Sequence, residues 1–346
     1  MRLRKKVRNI ERRSAVSPEV YTKEDQKSTV RFSMARTFHR MLWRILLVIV
    51  GVLLTSAWYV YLKDYASDFL SRKGELLEVR EQPAGEDSIF ARSWITLRSS
   101  SGMVVECGML RPIGGRTRSP AIIVLGGKVT GKHAIDYAQG ISDVILVAVD
   151  YPYEPRASYS AMEFLHDVPE MREALFDMVP SVMLLTDYLW TRTDVDTMRL
   201  VILGYSFGAQ LVPAIFAHDR RPAIAAMVYG GGDLHGLIRH NVRRYKDALT
   251  SEVAAALGAF LLHPLEPLRY VREIFPRPLI MLNGSMDEQI PRESPELLFK
   301  EALEPKKIIW LQSGHVHPKG VELRRQIIDT LKTELSALGV SPAGEP

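Results

Sequence analysis

The amino-acid sequence predicts an α/β protein: a mostly parallel, eight-stranded sheet with helices on both faces, preceded by one transmembrane helix. Three observations predict it. Short apolar runs alternate with helical stretches from about residue 90 onward. One serine lies between two glycines directly after such a run, where a strand would turn into a helix. Finally, eighteen residues without a charge, Ile45 to Leu62, follow a strongly basic tail.

Residues 1–44 carry thirteen Lys and Arg against four acidic residues, a local excess of +9, whereas the whole chain is only +5. Everything after residue 44 therefore sums to −4. Nucleic acid binds basic surfaces, so a mildly acidic body excludes it as a partner. The next segment, ILLVIVGVLLTSAWYVYL, reaches roughly 27 Å as a helix, enough for a hydrocarbon core. Trp43 at one end and Trp58, Tyr59 and Tyr61 at the other suit the two interfaces, where amphipathic rings are favoured. Charges close the segment at Arg40 and Arg44, and again at Lys63 and Asp64. It lacks the polar stripe of a core helix, and signal peptides have much shorter basic regions. Thr55-Ser56-Ala57 nevertheless resembles a small-residue cleavage site. The expected reading of 45–62 is an uncleaved anchor whose partner is the lipid bilayer. The positive-inside bias makes 1–44 a cytoplasmic tail and sends the body outside the cytoplasm, to the periplasmic side in a bacterium.

Residues 63–90 are polar and mixed in charge, and read as a stalk. The body follows as one domain over 91–340. Ser93–Leu97 and Val104–Leu110 flank Ser99-Ser100-Ser101-Gly102 as an opening hairpin. Ala121–Leu125, Val144–Val149, Leu200–Leu203, Ala223–Val228, Leu279–Leu282 and Lys307–Leu311 follow as buried strands. Helical pattern fills the gaps, as at Met178–Trp190 and Val321–Leu338. Two segments are expected to roof a site: Tyr151–Val179, and a small cap at about 234–271 bearing Arg239, Arg243, Arg244 and Lys246. Tyr151, Tyr153 and Tyr159 are candidates for lining a pocket. The single cysteine, Cys107, excludes an intramolecular disulfide.

The motif that carries chemistry is Gly204-Tyr205-Ser206-Phe207-Gly208. Leu200–Leu203 precedes it as a strand and Ala209–Ala217 follows as a helix. Such a turn forces the serine into strained backbone and holds its hydroxyl above the sheet. Gly204 and Gly208 let the turn close, and the helix N-terminus favours a developing oxyanion. A serine needs a base, and the base an orienting acid. Pro278–Gly284 runs as a strand into Ser285-Met286-Asp287-Glu288, which sets Asp287 at the C-terminal edge of the sheet, where open parallel sheets bind ligands. Ile308–Leu311 leads into Gln312-Ser313-Gly314-His315, a loop at the same edge. Glu288 is the rival acid and His317 the rival base. No histidine pair has convincing metal spacing: His235 and His240 lack a third ligand.

Together the serine turn, the acid loop and the Ser-Gly-His loop resemble the α/β-hydrolase superfamily, in particular its dienelactone hydrolase-like and prolyl-oligopeptidase-like esterases. The resemblance runs over about residues 90–340, and Asp194-Val195-Asp196 fits it too. It implies the α/β-hydrolase fold, with Ser206 as nucleophile, His315 as general base then acid, and Asp287 as its orienting partner. It implies cleavage of a small-molecule ester or acyl substrate, a carboxylic ester or thioester, through an acyl-enzyme, with no cofactor and no metal. The oxyanion hole would take one amide from Phe207 and a second from Leu125-Gly126-Gly127-Lys128, at Gly127 or Lys128. Two alternatives stay open: a serine peptidase of the same fold, and a non-catalytic membrane-anchored binding or assembly protein on the same scaffold.

Overall fold

Hydropathy shapes the first element. The computed structural model describes residues 23–114, 117–127, 130–138, 140–141, 143–153, 161–317 and 320–340. Helix α1 (Lys23–Leu62) is unbroken, and its stretch Phe38–Leu62 is 25 residues long and apolar enough to cross a membrane. Its large apolar side chains stand exposed, from Leu46 and Leu47 to Leu54 and Trp58. The Thr55 hydroxyl donates to Gly51 O at 2.9 Å, so a polar group inside the apolar run is satisfied within the helix. The chain divides between Tyr59 and Val60, and the second unit holds everything from Val60 on.

That second unit is built on one sheet of nine strands. The strands are β1 (Leu76–Glu86), β2 (Phe90–Ser99), β3 (Val104–Pro112), β4 (Ser119–Leu125), β5 (Ile145–Val149), β6 (Val195–Tyr205), β7 (Ile224–Val228), β8 (Leu279–Gly284) and β9 (Lys306–Leu311). Their order across the sheet is β1-β2-β3-β5-β4-β6-β7-β8-β9. The first three and the β3–β5 pair are antiparallel, and every pair from β5 to β9 is parallel. Alternation along the strands feeds two cores. In β4, Ala121, Ile123 and Leu125 point to one face, and Ile122 and Val124 to the other. The first face is covered by α2 (Ala66–Lys73), α3 (Ala161–Thr191) and α4 (Val212–His218), and the second by α9 (Val321–Ala337) and a 3-10 turn at Gly131–Tyr137. The cap consists of α5 (Leu234–Arg243), α6 (Ala248–Leu262) and the single turn α7 (Pro267–Tyr270), and α8 (Glu293–Glu301) follows β8.

Two expectations need correction. The sheet has nine strands rather than eight, and 63–90 is not a stalk. Within that range, α2 buries Phe69 completely against Phe176 and His218, and Arg72 pairs with Asp177 at 2.7 Å. Strand β1 pairs with β2 from Leu76↔Ser99 to Glu86↔Ala91. The segment reads as polar because β1 is an edge strand whose side chains stay exposed. Backbone pairing holds it rather than burial.

Candidate active site

Strand β6 ends at Tyr205, and the chain turns at once into a 3-10 turn, Gly208–Leu211, that continues as α4. Between them Ser206 has φ of +51°, a left-handed conformation that costs a non-glycine residue energy. Close neighbours hold it there. Ser206 N–H donates to Val228 O at 2.8 Å, and Gly208 N–H to Gly126 O at 3.1 Å. A Cβ on Gly208 would stand 2.2 Å from Leu125 O, so only glycine fits.

The predicted base and acid arrive from β9 and β8. Ser206 Oγ lies 2.8 Å from His315 Nε2, and His315 Nδ1 lies 2.8 Å from Asp287 Oδ2. A carboxylate only accepts, so Nδ1 carries the proton and donates to Asp287, leaving Nε2 to accept from the Ser206 hydroxyl. The other Asp287 oxygen, Oδ1, accepts from Gln289 N–H at 2.8 Å and Ile290 N–H at 2.9 Å. Both side chains are almost wholly buried, Asp287 at 2% and His315 at 7% exposure, which shields the ion-pair geometry from solvent. Glu288, the rival acid, instead accepts from the His315 backbone N–H at 3.3 Å, and it is nearly fully exposed. Its carboxyl is held below the usual range, first by its own backbone amide. His317, the rival base, lines the cavity beyond His315.

The two loops are zipped together by backbone: Ser285 N–H donates to Leu311 O at 2.8 Å and Met286 N–H to Ser313 O at 3.0 Å. Tyr229, unmarked by the motif reading, supports the histidine. Its ring meets His315 edge-on at 5.6 Å and its hydroxyl bonds the Ser313 hydroxyl. The signal was present as Tyr229-Gly230-Gly231-Gly232 directly after an apolar run.

Phe207 and Gly127, the first two oxyanion candidates, line the same cavity as Ser206. The Gly208–Gly126 bond joins the two loops that carry their amides. Lys128, the other candidate, lies outside the described residues, as does Tyr159. Tyr151 and Tyr153 do not line the cavity. Tyr151 instead donates its hydroxyl to Gly126 O and packs edge-on to Phe207 at 5.6 Å, and burial pushes that phenol up. The cavity measures about 730 Å³, and the cap supplies an apolar wall through Leu234, Leu237, Ile238, Val242, Leu262 and Leu265.

With this geometry in view, the similar solved structures are informative. The acetyl xylan esterase 1 of Thermoanaerobacterium sp. superposes with a TM-score of 0.58 at 15% identity, covering 79% of this chain and 94% of its own. The acetyl xylan esterase of Paenibacillus sp. R4 gives 0.57 at 15%, covering 77% and 92%. The fold is that of the α/β hydrolases. A 2,6-dihydroxy-pseudo-oxynicotine hydrolase shares this α/β-hydrolase fold at a TM-score of 0.50 and 19% identity, covering 73% of this chain and 71% of its own. No family model matches the chain. Among curated proteins, the uncharacterized protein YfhR of Salmonella typhimurium is 28% identical over 144 residues, 41% of this chain and 48% of its own length. YfhR of Escherichia coli K12 is 25% identical over 150 residues, 42% and 49%. The chain spans about half the length of the curated relatives it matches.

Proposed function

We propose that this α/β-hydrolase-fold protein is a membrane-anchored serine hydrolase that cleaves a carboxylic ester or thioester through an acyl-enzyme. The observation that carries the reading is the continuous chain of contacts from the strained Ser206 through His315 to Asp287, each link at 2.8 Å. As the Ser206 oxygen bonds the carbonyl carbon, His315 Nε2 takes its proton, and Asp287 stabilises the imidazolium that forms. The carbonyl π pair moves onto oxygen, which the Phe207 and Gly127 amides receive. The C–O bond of the ester then breaks, and the leaving alkoxide collects the proton from His315. Water repeats the cycle on the acyl-serine, releasing the acid and regenerating Ser206. The esterase names of the similar structures support an ester as the bond cut, and the apolar cap wall supports an apolar acyl group as the part held.

Phe38–Leu62 serves as the anchor, with residues 1–44 in the cytoplasm and the hydrolase unit on the far side. Labelling with a fluorophosphonate probe tests the chemistry. Ser206 is expected to react in the native protein and Ser206→Ala to stay unlabelled. A folded protein that never labels would return the reading to a binding module on a hydrolase scaffold.

A further inference from the structure

Helix α6 has an outer side that the body leaves bare. Leu249, Val253 and Leu257 recur at four-residue spacing and are 75%, 51% and 58% exposed. At 15 residues α6 is about 22 Å long, too short to span a bilayer, and Pro264 follows its end. Its length suits lying along an interface instead.

We infer that the α5–α6 hairpin docks on the surface of the bilayer, so that the hydrolase takes its ester from the lipid phase. The inference rests on the anchor and hydrolase readings above. Three observations name a bilayer as the occupant. First, the turn after α6 is fixed beside the point where the chain leaves its apolar span. The Tyr61 ring stacks on His263 with centroids 4.0 Å apart, and Arg269 donates to the Lys63 carbonyl. Covalent connection alone therefore keeps the end of α6 within a few residues of the membrane surface. Second, Arg243, Arg244 and Lys246 stand exposed at the other end of the hairpin, in a body whose net charge is −4. A basic flank beside an apolar stripe is the pattern that anionic headgroups attract. The local acids are engaged elsewhere: Asp247 caps α6 at Thr250 N–H, and Glu252 meets His235 at 3.1 Å. Third, the inner side of the same hairpin walls the cavity above Ser206, through Leu237, Ile238 and Leu262. It also holds the acid loop, since His240 Nε2 donates to Glu288 O at 2.9 Å and Asn241 Nδ2 to Gln289 O at 2.8 Å. One element thus touches lipid outside and substrate inside.

The test uses the full chain in vesicles of phosphatidylcholine with phosphatidylglycerol. Single cysteines at Val253→Cys, Leu257→Cys and, as control, the exposed Met198→Cys take an environment-sensitive fluorophore; Cys107 is buried and stays unlabelled. Expected are blue-shifted emission at 253 and 257 that spin-labelled lipid quenches, and water-like, unquenched emission at 198. In parallel, Val253→Ser with Leu257→Ser should slow hydrolysis of a long-chain ester in the vesicles about tenfold, by weakening apolar insertion, while a soluble short-chain ester is turned over as before. Water-like emission at 253 and 257 in a protein that stays membrane-bound overturns the docking and leaves the anchor standing. Burial of the labels that rises with protein concentration and resists lipid quenching assigns the stripe to a second copy, and overturns it too. Equal loss on both esters overturns it as well, because the stripe would then serve only the cap's own packing. Should no ester be hydrolysed by any form, the hydrolase reading fails, and the quenching pattern decides the docking by itself.

Discussion

Ser206 shows how much chemistry one backbone angle can carry. Its φ of +51° is held by the Val228 carbonyl below and by the Gly208–Gly126 contact beside it, and the strain keeps the hydroxyl on His315. Ser206→Ala and His315→Ala are each expected to lower kcat by about 10⁴-fold or more in an ester assay, with unfolding midpoints unchanged. Asp287→Asn should cost about 10²–10⁴-fold by favouring the wrong imidazole tautomer, whereas Glu288→Gln should stay within a few-fold, since Glu288 meets only the His315 backbone. Substantial turnover in His315→Ala, with loss in His317→Ala, would move the base. Gly208→Ala forces a Cβ onto the Leu125 carbonyl, and should lose about 3 kcal/mol in denaturant titration together with activity. Ser206, Asp287 and His315 were legible in the sequence because each follows directly on an apolar run, which fixes the sheet edge on which it emerges. Tyr229 and Tyr151 were not, because their roles depend on which loop faces which, and that is set by strand order across the sheet rather than along the chain.

Among the elements, α2 and β1 are the ones sequence reading passed over. Eight residues with one buried aromatic give no helical periodicity, and a strand with exposed side chains gives no period-two pattern. The eight remaining strands were legible because parallel strands buried on both faces read as continuous apolar runs. Their ends shifted by up to five residues, as at β6, which begins at Val195 rather than Leu200. The physical role of α2 yields a prediction. Phe69 joins Phe176 and His218 in the core, so Phe69→Ala should destabilise the body by about 3–5 kcal/mol, read from its denaturation midpoint. For the same reason a protein beginning near Asp64 should be soluble and active, while one beginning at Ser88 should lose β1 and the Phe69 anchor and unfold far more readily.

For the whole molecule, stability carries a pH signature at His218. Burial holds this imidazole below its ordinary value of 6.5, and its Nε2 meets no partner among the described residues. The folded state thus prefers the neutral ring, and the unfolded chain takes up the proton first as pH falls. The contribution is complete above 6.5 and is lost as the pH drops from there through the lower folded value. Urea midpoints should therefore fall on acidification across this window, and His218→Phe should flatten the fall. Orientation is a separate matter: in sealed vesicles, protease added from the cytoplasmic side should remove residues 1–44 and spare the hydrolase unit. A body digested together with the tail would sink the topology. On the anchor reading, the correction to the stalk acquires a kinetic meaning. Tyr65 is already buried, so only Lys63 and Asp64 separate Leu62 from packed structure, a leash of about 10 Å. On so short a leash the catalytic serine samples a thin slab along the lipid surface. Its turnover would follow the number of substrate molecules per unit area and their lateral diffusion, and dilution of the surrounding fluid would leave it unchanged.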